Sequence, residues 1–323
     1  MARPSKIKQA VRTALVDYLG LTEDETLLVI TDEHLRDIGM EIYETSKTLC
    51  AESIFLEMSA RKFNGEEPPD AVAEIMKSVD AVISPTSKSL THTKSKREAS
   101  KLGVRIATMP GITRDTLIRC LSADPQKIME VTELVAQKLH DVNNIRVKTE
   151  LGTDITLPVR RRRIMSSTGI LRNIGDTGNL PSGEVFMAPV EDETSGVVVF
   201  DGSIGGIGLL SEPVRVEISK GYIKKIKGGK EAQQFEEMLK GVHNEKAFAV
   251  AEFGMGTNYA ATLTGQILED EKILGTIHIA FGNNLTMGGK IKVASHVDGL
   301  VMKPDVYFDK ELVMSKGKLL IKE

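Results

Sequence analysis

The strongest constraint on this 323-residue chain is a change of pattern near residue 145. Upstream of it, short apolar runs alternate with helical patterns. "TLLVIT", "AESIFLEM", "DAVISP" and "VRIATMP" read as buried strands, with "DEHLRDIGMEIYETSKTLC", "PDAVAEIMKSV" and "HTKSKREASKLG" as the helices between them. Strands that alternate with helices connect in parallel, so residues 1–145 are expected to form an α/β domain with a parallel sheet. "DPQKIMEVTELVAQKLHDVNN" closes this half as a long helix. No G-x-G-x-x-G follows the first strand, so a dinucleotide site of the usual kind is not supported.

Downstream, "IRVKTELGTDITLPV", "SGVVVFDGSI", "VRVEISKGYIKKIKGG" and "VYFDKELVMSKGKLLIKE" alternate β-branched and polar residues and break at Gly or Asp-Gly. Residues 146–323 are therefore expected to form a β-rich α+β domain of antiparallel hairpins, with "EAQQFEEMLKGVH" as its clear helix. The hairpins at its end need covering or pairing along their outer strands.

A formal net charge of -3 gives no electrostatic case for a nucleic-acid or membrane partner. No apolar run is long enough to span a bilayer, and "MARPSKIKQAVRTALVDYLG" is charged and amphipathic, unlike a signal peptide. Cys50 and Cys120 have no metal-like spacing and read as reduced thiols. A cytoplasmic location is the expectation from these features together.

Histidine is used sparingly, six times in all, yet "GTIHIAFGNNLTMGGKIKVASHVDG" holds His278, His296 and Asp298 among glycines and valines. His296 and Asp298 stand at strand spacing, so an extended backbone projects both from one face. Glu184 follows the turn "LPSG", and Glu252 ends the small apolar run "AFAVAE". Carboxylates and imidazoles rising from apolar strands suit a divalent metal ion, whose charge the carboxylates balance and whose shell excludes water.

Other motifs have blander readings. "RRRR" (Arg160–Arg163) is expected to be a strand edge with solvated and ion-paired arginines, "GGIG" after "DGSI" a weak phosphate cradle, and "LEDE" (Glu269–Asp270–Glu271) a solvated turn. His34 and His92 fall at helix starts, with His92 near the carboxyl edge of a strand, where open α/β sheets place ligands.

The motifs "LPSGEVFMAP", "AEFG", "LEDEKILGTIHIAFG" and the H-x-D pair, in that order, resemble the metallo-aminopeptidases of the aminopeptidase T and aminopeptidase S type. The resemblance implies two divalent ions, zinc, cobalt or manganese, held by Glu184, Glu252, His278, His296 and Asp298. It implies that Glu184 bridges both ions, that Glu252 holds one, and that these carboxylates serve a metal-activated water. It further implies a hydrolase removing N-terminal residues from short peptides, and a homodimer. A tyrosine that follows the first histidine in those peptidases has no counterpart in "FGNNLTMGG". The same superfamily offers an alternative, a ring-cleaving dihydroxypyridine dioxygenase with one ferrous ion. His296, Asp298 and either His278 or His243 would then supply two imidazoles and a carboxylate.

Overall fold

A computed structural model of the protein describes residues 5–321, so Met1–Pro4 of the charged N-terminal segment and Lys322–Glu323 of the last hairpin lie outside them. The chain divides into two compact units. One runs up to Met129 and takes in Ser167–Ser182; the other comprises Glu130–Ser166 and the chain from Gly183 onward.

The first unit is built on a five-stranded parallel sheet in the order Glu52–Met58, Thr26–Asp32, Ala81–Ser84, Arg105–Thr108, Thr177–Asn179. The first four strands are the ones the apolar runs predict, and helices Arg36–Ser46, Asp70–Met76 and Lys94–Lys101 connect them. Thr93 caps the last of these helices by accepting from Lys96 N, satisfying an amide that has no helical partner. The core of the unit is the apolar cluster of Leu28, Ile30, Met76, Val82, Val104 and Ile106. The fifth strand arrives from far along the chain and pairs beside Arg105–Thr108 in register Ile106↔Thr177 to Thr108↔Asn179.

The second unit contains an eight-stranded and a seven-stranded sheet with antiparallel pairing. Their apolar faces share one core, in which Phe200 meets Phe281 edge-on with ring centroids 6.2 Å apart and Phe235 packs against both. Burial of each ring contributes roughly 2–3 kcal/mol. Helix Lys230–Lys240 supplies Phe235. Among the described residues, no helix is long and apolar enough to cross a membrane.

Four adjacent strands of the seven-stranded sheet matter most: Glu184–Met187, Val250–Gly256, Thr276–Gly282 and His296–Met302. Side chains alternate faces along a strand, and directly opposed residues share a face. One face presents Val185, Met187, Phe253, Met255, Ile277, Ile279, Phe281, Val297 and Val301, all in the core. On the other face the register sets His278 opposite Gly254 and Leu300, Ala280 opposite Glu252 and Asp298, Gly282 opposite His296, and Gly256 opposite Glu184. Every charged residue on this face thus has a glycine or alanine beside it. The small neighbours leave the volume that the large side chains fill.

Two local expectations are corrected. Arg160–Arg163 is not a strand edge: the strand ends at Pro158, and the arginines form a turn in which Arg161 has φ 57°. Arg160 there pairs with Glu193, and Arg162 with Glu191. The acidic run is not a solvated turn either, since Glu269 and Asp270 are fully buried on the short helix Ile267–Asp270. Asp270 accepts from Ser203 Oγ, Thr264 N, Thr264 Oγ1 and Gly265 N, so its carboxylate stitches a loop that water would otherwise solvate.

Candidate metal centre

The polar face collects all five residues singled out by pattern and order. His278 Nε2 lies 3.2 Å from Glu252 Oε1 and 3.6 Å from Glu184 Oε2. His296 Nε2 lies 3.1 Å from the other oxygen of Glu252 and 3.5 Å from Asp298 Oδ1. Glu184, Glu252, His278 and Asp298 are buried, whereas the His296 side chain is 31 % exposed and forms the open side of the cluster.

Backbone geometry aims these groups. A Cβ on Gly254 would stand 2.0 Å from His278 Nε2, so no other residue fits beside that imidazole. Gly256 likewise lets the Lys272–Ile273 backbone pass close, since a Cβ there would lie 2.2 Å from Ile273 O. Asp298 is held by its carbonyl, which accepts from Gly205 N at 2.9 Å. The "GGIG" stretch therefore anchors the site strand. His296 Nδ1 donates to Asn283 O at 2.8 Å, which turns Nε2 inward toward Glu252 and Asp298.

The donors fall into two groups. Glu252, His296 and Asp298 form one, and Glu184, Glu271 and His278 the other, each with ligand atoms within 4.8 Å of one another. Glu184 and Glu252, paired as ligands in the sequence, thus stand in different groups. The second group contains a residue that the sequence reading missed. Lys272, 1 % exposed, places Nζ 2.6 Å from Glu184 Oε1 and also hydrogen-bonds Glu271 Oε1. Its only sequence signal is its place after three acidic residues, which by itself reads as a solvated surface turn. His243 joins neither group; it is exposed just past helix Lys230–Lys240, with φ 53°. His34 and His92 lie in the turns before their helices, in the other unit.

The electrostatics show what the cluster needs. Burial disfavours the charged form of every member. Burial works against the imidazolium of His278, yet its hydrogen bond to Glu252 and the nearby Glu184 and Asp298 carboxylates raise its pKa to about 9. His296 moves well above its ordinary value against the same burial, driven by Asp298 and Glu252. Burial would raise Glu252, but hydrogen bonds from both imidazoles bring it well below the usual carboxylate range. Glu271 is pushed up to about 8 by burial, reinforced by Glu184 and Asp298 and opposed by Lys272. Lys272 is raised despite burial, because Glu184 and Glu271 hold its ammonium charged.

The carboxylates around Glu252 thus favour positive charge beside them and draw both imidazoles toward their protonated forms. A divalent cation would supply it in their place, bound by the inward Nε2 of His296 and by carboxylate oxygens already within hydrogen-bonding range. The donor set fits such an ion, with hard oxygens, imidazole nitrogen and low exposure.

Comparison with known proteins gives the family. The family of 2,5-dihydroxypyridine 5,6-dioxygenase (NicX) matches residues 20–321. The 2,5-dihydroxypyridine 5,6-dioxygenase of Pseudomonas putida KT2440 is 26% identical over 252 residues, covering 72% of this chain and 69% of that protein. Among solved structures, the 2,5-dihydroxypyridine dioxygenase of P. putida KT2440 superposes with a TM-score of 0.85 at 21% identity, covering 99% of each chain. AmpT from Thermus thermophilus superposes with a TM-score of 0.69 at 16% identity, over 98% of this chain and 99% of that one. At such identities these superpositions establish the fold, which the two neighbours share with this chain.

The family match overturns the aminopeptidase assignment. The fold is common to both neighbours, so it does not select the reaction. The hydrolase activity and the short-peptide substrate rested on that resemblance and fall with it. The absent tyrosine in "FGNNLTMGG" is consistent with this correction. From the family match over residues 20–321, the chain belongs to the 2,5-dihydroxypyridine 5,6-dioxygenase family.

Proposed function

We propose that the protein is a mononuclear non-haem iron dioxygenase that opens the ring of a dihydroxypyridine, with Glu252, His296 and Asp298 holding the ion. The observation that carries the ion's place is the division of the donors. Among the described residues, the group around Glu252 is paired with imidazoles alone, whereas the group around Glu184 surrounds the Lys272 ammonium. The family and the curated relative support the reaction class and the substrate class.

A ferrous ion so held would supply the redox chemistry by which dioxygen reacts with an electron-rich ring. The chain's residues do the rest. Glu252 and Asp298 balance the ion's charge, and two carboxylates with one imidazole make the set more anionic than the usual two-histidine arrangement. Asn283 fixes the His296 tautomer through its carbonyl. His278 stands behind Glu252 and hydrogen-bonds one of its oxygens, restraining the carboxylate's rotation. The apolar strands beneath exclude bulk water from one side, so a planar substrate enters from the exposed side of His296.

The test is an oxygen-electrode assay of protein loaded anaerobically with Fe(II) and given 2,5-dihydroxypyridine. Oxygen and substrate should disappear in equal amounts, with both atoms of labelled dioxygen in the acyclic product. Leucine p-nitroanilide should not be hydrolysed. Absence of oxygen uptake by fully loaded protein would refute the reading.

A further inference from the structure

The Glu184–Glu271–His278 group has the composition of a metal site, yet a side chain of the protein occupies its centre. Lys272 Nζ lies 2.6 Å from Glu184 Oε1 and hydrogen-bonds Glu271, and His278 Nε2 lies 3.6 Å from the other oxygen of Glu184. All three donors lie within 4.8 Å of one another, so the ammonium stands where their charge converges. We infer that Lys272 is a built-in cation that takes the place of a second metal ion and keeps the centre mononuclear. This deepens the functional reading and rests on its placement of one ion at Glu252, His296 and Asp298.

Three features make the occupancy permanent. The Lys272 backbone is held on both sides of the peptide: its amide donates to Glu269 O at 2.9 Å, and its carbonyl accepts from Asn258 N at 2.8 Å. Gly256, whose Cβ would meet the Lys272–Ile273 backbone, lets that segment lie against the strand next to Glu184. The side chain is buried along its length, so the ammonium has no route to water without opening the loop. A tethered charge needs no binding entropy to stay in place, whereas a free ion entering here would have to displace it and leave an ammonium buried without partners. The same argument explains why Glu271 is present beside Glu184. Two carboxyl groups around one ammonium accept from two of its three N–H donors.

Removing the ammonium should therefore convert the polar face into a dinuclear centre. Mn(II) serves as probe because it binds oxygen-rich sites and reports on its neighbours by electron paramagnetic resonance. In equilibrium dialysis of the intact chain, wild type should bind about one Mn(II), with the spectrum of an isolated ion, and Lys272→Ala about two, with a spin-coupled spectrum. Lys272→Arg, which keeps a cation in the group, should stay near one. A folded Lys272→Ala that still binds one ion, or a wild type that binds two, would overturn the inference. If Lys272→Ala is unfolded without metal, Mn(II) should restore a cooperative melting transition by replacing the lost charge, and failure to do so would also overturn it. The count is independent of turnover. A wild type that consumes no oxygen but shows the change from one ion to two would refute the dioxygenase reading and leave the role of Lys272 standing.

Discussion

The two donor groups on the polar face are close chemical relatives with different electrostatic endings. Each combines two carboxylates with one histidine, and each lies over the same apolar core. Around Glu184 the charge is answered within the chain, by Lys272 at 2.6 Å, and the group is closed. Around Glu252 it is answered, among the described residues, by the imidazoles of His278 and His296, and the group opens through His296, 31 % exposed. A cluster of ligand-type residues therefore does not by itself count metal ions. What counts is whether a protein cation already sits among them.

The comparison can be broken most forcefully at the open group. His296→Ala and Asp298→Ala should each weaken Fe(II) binding by about 100-fold or more and abolish oxygen uptake. Both variants should stay folded without metal, because the core lies on the other face of the sheet, with His296→Ala less stable than wild type since it removes one partner of the buried Glu252 carboxylate. Tight iron binding in either variant, measured by anaerobic titration, would remove these residues from the ligand set.

At the closed group the expected loss is of stability and not of metal. Glu184→Gln removes one partner of a buried ammonium and should cost about 3 kcal/mol in denaturant unfolding while the iron content stays unchanged. Loss of iron in this variant would mean that Glu184 is a ligand and that the two groups form one site.

Between the groups stands His278, and Gly254 tests its seat. Gly254→Ala puts a methyl group 2.0 Å from Nε2, so the imidazole must move. Destabilisation of about 2 kcal/mol is expected, with weaker iron binding because Glu252 loses its brace. An unperturbed variant would show that His278 has room that its packing does not suggest.

The protonation of His278 sets the pH dependence of the metal-free protein. Its folded pKa, about 9, lies above the ordinary value of 6.5. The corresponding stability is thus fully present below pH 6.5 and lost as pH rises through 9. The slope should be on the order of 1 kcal/mol per pH unit in that window. Iron should flatten it, since binding displaces the protons, and iron affinity should rise with pH over the same range. A metal-free protein whose unfolding free energy is flat from neutral pH to pH 9 would contradict the charge balance drawn here.

The smallest effect belongs to the surface. Arg160→Ala breaks the half-exposed pair with Glu193 and should change stability by less than about 1 kcal/mol, with no change in iron content. A larger effect, read by the same denaturant titration, would mean that the turn supports the site more directly than its contacts indicate.

Much of this was legible in the sequence, for identifiable reasons. The parallel sheet announces itself through apolar runs long enough to be buried on both faces, such as Thr26–Asp32. Glu184, Glu252, His278, His296 and Asp298 stand out because a charged residue within an apolar strand requires a partner. Lys272 did not stand out, because a lysine after "LEDE" has the pattern of a solvated turn, and only the strand register and the close pass at Gly256 show that it points inward. Thr177–Asn179 was illegible for another reason. Three residues carry too little periodicity to identify a strand, and its partner Arg105–Thr108 lies some seventy positions away, at separations such as Thr108 to Gly178. The reaction is not legible from these donors, because one fold carries more than one chemistry.

One iron ion in the open group, with Lys272 filling the closed one, is tested directly by anomalous diffraction at the iron edge from crystals grown anaerobically with Fe(II). One anomalous peak per chain is expected within bonding distance of Glu252, His296 and Asp298, with the Lys272 ammonium in density between Glu184 and Glu271. Two peaks, or a single peak among Glu184, Glu271 and His278 with Lys272 displaced, would contradict it.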